Sequence, residues 1–215
     1  GDYPVVGIDI SAREDLTLAI LDGSGSSQKL ARIESAGKDA ATLGKELAEV
    51  LGDRPPRVMV VGHGKGPRAV VPRLRAALRE ARLPVEVGIT NEAGLSSYAN
   101  SELARRELPE TTVPQRMAIS LGRRLQDPMA EILKVDPRHL SLGAEQGLVS
   151  KANARRIFDE TIESCVAHVG CDLERCSLAV LQHIPGLDPK SAERILERQH
   201  STPFENREQL RGEGF

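Results

Sequence analysis

The sequence predicts an α/β domain with a mixed sheet, followed by a small all-helical domain. Three observations carry that expectation. Short β-branched apolar runs alternate with helical spacing through the first ninety residues. From residue 93 the strand pattern stops and only helical spacing continues. Near the C-terminus, LQHIPGLDPKSAERILERQ (181–199) reads as two helices joined by a tight apolar-Pro-Gly-apolar turn.

Taken in order, residues 4–10 (PVVGIDI) form the first apolar run and 16–22 (LTLAILD) the second, with the polar cluster Ser11 to Asp15 between them. Asp22-Gly23-Ser24-Gly25 is a turn signal that brings the chain back as a third strand over 28–34. Residues 38–51 put Leu43, Leu47, Val50 and Leu51 at helical spacing, and Pro55-Pro56 ends that unit. RVMVVG (57–62) reads as a buried strand, 68–82 as a basic amphipathic helix and VEVGI (85–89) as another strand. Helices are expected over 93–106, over 113–133 with Pro114 in its first turn, and over 150–168 with Ser150 as N-cap. Two shorter ones are expected over 177–183 and 189–199. The expected boundaries are 1–135 for the α/β domain, 136–149 for a linker and 150–215 for the helical domain.

Composition narrows the function classes. The 215 residues are 40% apolar and 28% charged, as in a globular chain of one large or two modest domains. No stretch approaches the roughly 18 consecutive apolar residues of a membrane span, and the N-terminus shows no secretory pattern. Lys and Arg number 29 against 31 Asp and Glu, a net charge of −2, so any nucleic-acid site must be a local patch. Two Tyr, three Phe and no Trp argue against a single-strand binder built on rows of stacking rings. Cys165, Cys171 and Cys176, an odd number without a leader-like segment, point to free thiols and a cytoplasmic location. Their spacing lacks paired knuckles, so no metal is expected there.

Asp9 lies inside the first strand and shares a face with Val5 and Gly7. A carboxylate there is expensive unless it is paired, hydrated or bound to a cation. A strand-borne Asp followed by a hairpin is how the RNase H fold opens, where that Asp holds Mg²⁺ for two-metal phosphodiester cleavage. Such a centre needs further carboxylates, for which Glu92 and Asp127 are the candidates. Glu92 has an alternative role in favouring the next helix N-terminus. Asp127 precedes Pro128 and could simply cap a restarted helix. Gly62-His63-Gly64-Lys65-Gly66 stands where another acid is expected; it lacks P-loop spacing, but Lys65 could brush a nucleic-acid backbone.

The hairpin over 181–199 is the most specific feature. Gly186 supplies the turn, and the N–H groups opening the second helix are expected to point at a phosphate. Gly186, Leu187, Lys190 and Ser191, with Arg194 and Arg198 along the helix, are the expected contacts to an RNA or DNA backbone. Asp188 stands where active hairpins usually have a second Gly, and its charge opposes a phosphate.

The stretch TNEAGLSSYANSELARRELPETTVPQRMAISLGRRLQDPMAEILKVDP (90–137) resembles the Tex family of bacterial transcription accessory proteins. The resemblance extends back through GIDIS to the family's YqgF-like RNase H-fold domain, and forward through ESCVAHVGCDLERCS to its helix-hairpin-helix region. It implies a nucleic-acid-binding scaffold in transcription, with possible contacts to the transcription machinery. Asp9, Glu92 and Asp127 match the family's acidic positions. Full-length members also carry an N-terminal helical region, a C-terminal S1 domain and a second hairpin, which would begin where this chain stops at RGEGF; the chain is expected to be a fragment or truncated relative. The expected function is sequence-independent, non-catalytic binding with no cofactor and no membrane. One alternative is an Mg²⁺-dependent nuclease or resolvase using Asp9, Glu92 and Asp127. The other is a protein-interaction core.

Overall fold

The computed structural model describes residues 3–140, 143, 147–173, 176–199 and 209, apart from the side chains of Lys65 and Pro67. The chain divides into two compact units, 1–131 and 132–215. In the first, β1 (Val5–Ile10), β2 (Asp15–Leu21) and β3 (Ser27–Glu34) form an antiparallel meander. After α1 (Ala40–Leu51), β4 (Val58–Val61) pairs with β1 in parallel. After α2 (Lys65–Glu80), β5 (Glu86–Ile89) pairs in parallel with β4. The order β3-β2-β1-β4-β5 puts β1 at the centre, the RNase H-like arrangement that the sequence leads one to expect.

Alternation divides the side chains of β1 between two faces. Val6 and Ile8 enter the main core with Leu43 and Leu47 of α1 and Leu74 of α2; full burial of each such side chain contributes about 1.5–3 kcal/mol. Val5 packs on the other face with Val60, Leu95 and Leu121. That face is covered by α3 (Leu95–Asn100) and α5 (Val113–Gln126), with α4 (Glu102–Glu107) between them in sequence. A β-carbon at Gly7 would collide with the carbonyl of Ala118 and lie 2.7 Å from the Gly122 nitrogen, so only glycine lets α5 come this close to β1. Gln126 Nε2 at the end of α5 donates to the Tyr3 and Asp22 carbonyls, both at 2.7 Å. The helix therefore runs against β1 and ends beside the strand's beginning.

Two expected helices are broken. The one over 93–106 divides at Ser101, whose side chain accepts from Ala104 N at 3.1 Å and caps α4. The one over 113–133 divides at Asp127-Pro128, and α6 (Pro128–Ile132) starts anew. The second unit holds a 3-10 turn (Pro137–His139), inside the stretch expected to be a linker, and then α7 (Lys151–Val169), α8 (Leu178–Leu181) and α9 (Pro189–Gln199). Ser150 caps α7 as expected, accepting from Asn153 N at 3.3 Å. Val180 and Leu181 of α8 and Ala192 and Ile195 of α9 are buried, and the two helices pack together. The expected stop at residues 211–215 lies outside the described residues. No helix among the described residues is long and apolar enough to cross a membrane.

Candidate functional site

A cavity of about 290 Å³ opens at the C-terminal ends of β1 and β4. It is lined by Asp9 and Glu92, by Gly62 and Gly64 of the loop after β4, by Gly66 in the first turn of α2, and by Met117 and Leu121 of α5. Two of the three expected carboxylates thus converge. Asp9 is half-buried, and its carboxyl is pushed up from 3.8 to about 6, first by burial and then by the negative charge of Glu92.

The glycine loop makes the Glu92 position possible. A β-carbon at Gly62 would collide with Glu92 Oε2 and lie 3.0 Å from its Cδ; at Gly64 it would collide with Oε1 and lie 3.3 Å from Cδ. The Glu92 carboxylate therefore lies flat against bare backbone. Two further residues hold its turn, and local sequence patterns gave no signal for either. His63 Nδ1 accepts from Glu92 N at 3.1 Å. Arg124 Nη1 donates to the Asn91 carbonyl at 2.7 Å and to that of Ala93 at 3.0 Å. The loop GHGKG, which stands where a further acid is expected, seats the carboxylate of Glu92 from another segment.

Asp127 is not part of this pocket. It follows Gln126 at the start of β1, while Asp9 is near the strand's end. Taking Gly7 and Gly122 as the crossing point, the rises of helix and strand separate the two carboxylates by about 14 Å along the strand. Its Oδ1 instead accepts from Ala130 N at 2.9 Å and caps α6. Nearby, buried Glu131 accepts from Ser120 Oγ at 2.6 Å. Among the described residues, no group of three or more His, Cys, Asp or Glu side chains could share a metal ion. The donor set in the cavity, two carboxylates, does not fit a two-metal centre.

In the second unit, Gly186 has φ +85°, the left-handed conformation that glycine adopts without strain. Leu187 N closes the turn on the Ile184 carbonyl at 3.1 Å. The start of α9, however, is already satisfied. Asp188 Oδ1 accepts from Lys190 N at 2.9 Å and Ser191 N at 3.1 Å, and Oδ2 accepts from Ser191 Oγ at 2.8 Å. These bonds, led by the Ser191 hydroxyl, hold the Asp188 carboxyl below its usual range. Ser191 is only 8% exposed. The expectation that these N–H groups and Ser191 point at a phosphate is therefore corrected: the cap engages them. Lys190 and Arg194 are exposed, Arg198 is half-buried, and the side chain of Lys65 lies outside the described residues. Cys165 is exposed on α7, while the Cys171 and Cys176 sulfurs approach to 3.7 Å.

Residues 3–126 match the Tex protein YqgF-like domain family. The chain belongs to that family. Behind the Tex YqgF-like domain, residues 166–212 match the helix-hairpin-helix motif. The chain is 42% identical over 132 residues to the human S1 RNA-binding domain-containing protein 1, covering 61% of this chain and 13% of that protein. Against protein YhgF of Escherichia coli it is 32% identical, over 95% of this chain and 27% of the relative. Against the transcriptional accessory protein Tex of Neisseria gonorrhoeae it is 30% identical, over 98% of this chain and 28% of the relative. The chain thus spans less than a third of the length of these curated relatives. Among solved structures, Thermus thermophilus RuvC aligns with a TM-score of 0.41 at 16% identity, over 60% of this chain and 96% of that one.

Proposed function

We propose that the chain is a nucleic-acid-binding scaffold module of a transcription accessory protein, working in the cytoplasm and contacting RNA or DNA backbone without regard to sequence. The observation that carries this reading is the hairpin of α8 and α9, with left-handed Gly186 at its turn and Lys190 and Arg194 exposed on the second helix. Exposed cations of this kind meet phosphates rather than base edges. The names of the Neisseria and human relatives, one a transcriptional accessory protein and one an S1 RNA-binding domain-containing protein, support the same setting. The test is a fluorescence titration of the full chain with a mixed-sequence duplex and a single strand across a salt series. Binding that falls steeply with salt and ignores sequence is expected. No binding at low salt would leave protein interaction as the function.

A second reading, phosphodiester cleavage, is favoured only by the meeting of Asp9 and Glu92 in one cavity. We propose that it is vestigial, because Asp127 is engaged as a cap at the other end of the strand. Metal-dependent cleavage of a junction or RNA–DNA hybrid, abolished by Asp9→Asn, would reverse that view.

A further inference from the structure

A positively charged surface outside both sites is a face of α2. Arg68, Arg75 and Arg79 follow one another at seven and then four residues, which puts them on one side of the helix. They span about 16 Å along its axis. Arg82 follows just beyond the helix end, and all four arginines are exposed. Among the described residues none of them pairs with a carboxylate, although the whole chain carries a net charge of −2. The acids around them are Glu80 on α2 and Glu86 on β5, both exposed and outside any ion pair among the described residues. At its N-terminal end the helix begins after Gly64, which with Gly66 of the first turn lines the carboxylate cavity.

A second cavity, of about 340 Å³, opens beside this stripe between α2 and β5. Arg75, Arg79 and Glu86 rim it, and Leu78, Leu83, Val85 and Val87 line it. Arg75 Nη2 donates to the Val87 carbonyl at 3.0 Å, which fixes its guanidinium across the β5 edge. Planar cations spaced along a helix suit a row of phosphates, and guanidinium planes stack on unpaired bases. The cavity falls within the usual range of ligand pockets, about 300–1,000 Å³, room enough for one nucleobase. Duplex bases stay stacked and cannot enter such a cleft.

We propose that Arg68, Arg75, Arg79 and Arg82 bind the backbone of a single-stranded nucleic acid, one of whose bases enters the cavity between α2 and β5. The inference rests on the nucleic-acid reading above and adds a contact surface apart from the hairpin. Its test is a polarisation titration of the full chain with a fluorescent mixed-sequence single strand and the matching duplex, from about 50 to about 200 mM salt. Arg68→Gln/Arg79→Gln is the main variant, since both side chains are exposed and neither forms an ion pair among the described residues, and Lys190→Ala is run beside it. The double variant is expected to bind the single strand at least ~5-fold more weakly, with a log–log salt slope shallower by about 1.4. The duplex should be affected far less. If the double variant binds the single strand like wild type while Lys190→Ala is impaired, this site is overturned and the hairpin reading stands. Equal losses on strand and duplex overturn it as well. Wild type that binds neither overturns both readings. If the double variant loses binding only to poly-glutamate, run as a further probe, the surface serves an acidic protein partner and the proposal fails.

Discussion

The carboxylate of Glu92 occupies the space that a side chain at Gly62 would need. A β-carbon there meets Oε2, and lies 3.0 Å from Cδ and 3.3 Å from Cβ of Glu92. Because the obstacle is the far end of a flexible side chain, Gly62→Ala is expected to evict the carboxylate rather than unfold the domain, at a stability loss of about 1 kcal/mol. With Glu92 displaced, Asp9 loses one of the two influences that raise it. An NMR titration of Asp9 should then show its pKa moving down toward the ordinary carboxylate range. An unmoved Asp9 would mean that the two acids do not share the pocket.

Gly7→Ala should behave differently. Its β-carbon meets the Ala118 carbonyl and the Gly122 nitrogen, which are fixed parts of α5. The expected cost is about 3 kcal/mol or more, since helix and central strand must part. Urea unfolding of the two alanine variants side by side measures the contrast; similar midpoints would contradict it.

Asp9 predicts a pH dependence of stability. Its folded pKa of about 6 lies above the ordinary 3.8, so the folded chain holds the proton more tightly than the unfolded one. That contribution is fully present below about pH 4, declines as pH rises toward 6, and is gone above it. Asp9→Asn removes the penalty of the buried charge. It should raise stability at pH 7.5 by about 1 kcal/mol, a figure reduced for the partial exposure of the group, and leave it unchanged near pH 4. Thermal melts at both pH values test the sign.

Asp127 should prove a structural residue. Asp127→Ala removes the cap on Ala130 N and should cost about 1 kcal/mol, while Asp127→Ser keeps an acceptor and most of the stability. Neither should alter nucleic-acid binding. A binding defect in a folded Asp127→Ala protein would put the residue back in the functional site.

If the hairpin meets a phosphate as proposed, Asp188 opposes it in two ways, by its charge and by engaging the Lys190 and Ser191 N–H groups. Asp188→Gly should therefore tighten nucleic-acid binding ~2–5-fold. Lys190→Ala should weaken it and flatten the salt slope by about one unit. Titrations across a salt series decide; if neither change alters affinity, the hairpin is a packing element.

Much of the fold could be read from local pattern. The alternation in PVVGIDI and LTLAILD, the turn at Asp22 to Gly25 and the helical spacing of Leu43 and Leu47 are each confined to a few residues, and the antiparallel meander of β1 to β3 follows from them. The site depended on longer-range relations. An Asp-Pro pair signals a cap, but only the direction of α5 across β1 reveals that Asp127 is far from Asp9. GHGKG looks like an anion loop until Glu92, some thirty residues on, is seen lying against it. Arg124 is one arginine among many in the sequence; its grip on the Asn91 and Ala93 carbonyls is purely tertiary. At the hairpin, Asp188 is legible as a cap, but the depth at which Ser191 sits is a matter of packing.

The bond from Arg75 to the Val87 carbonyl also bears on how the protein behaves in crowded solution. Among the described residues β5 is an outer strand whose one hydrogen-bonded neighbour is β4. Outer strands invite pairing with strands of other molecules, and through that aggregation. Here the strand is four residues long, and a guanidinium occupies one of the acceptors on which an incoming strand would dock. Two such edges meeting would bring their arginines together, and like charges would drive them apart. Replacing Arg75 with leucine would remove both defences, leaving an apolar side chain beside an open acceptor.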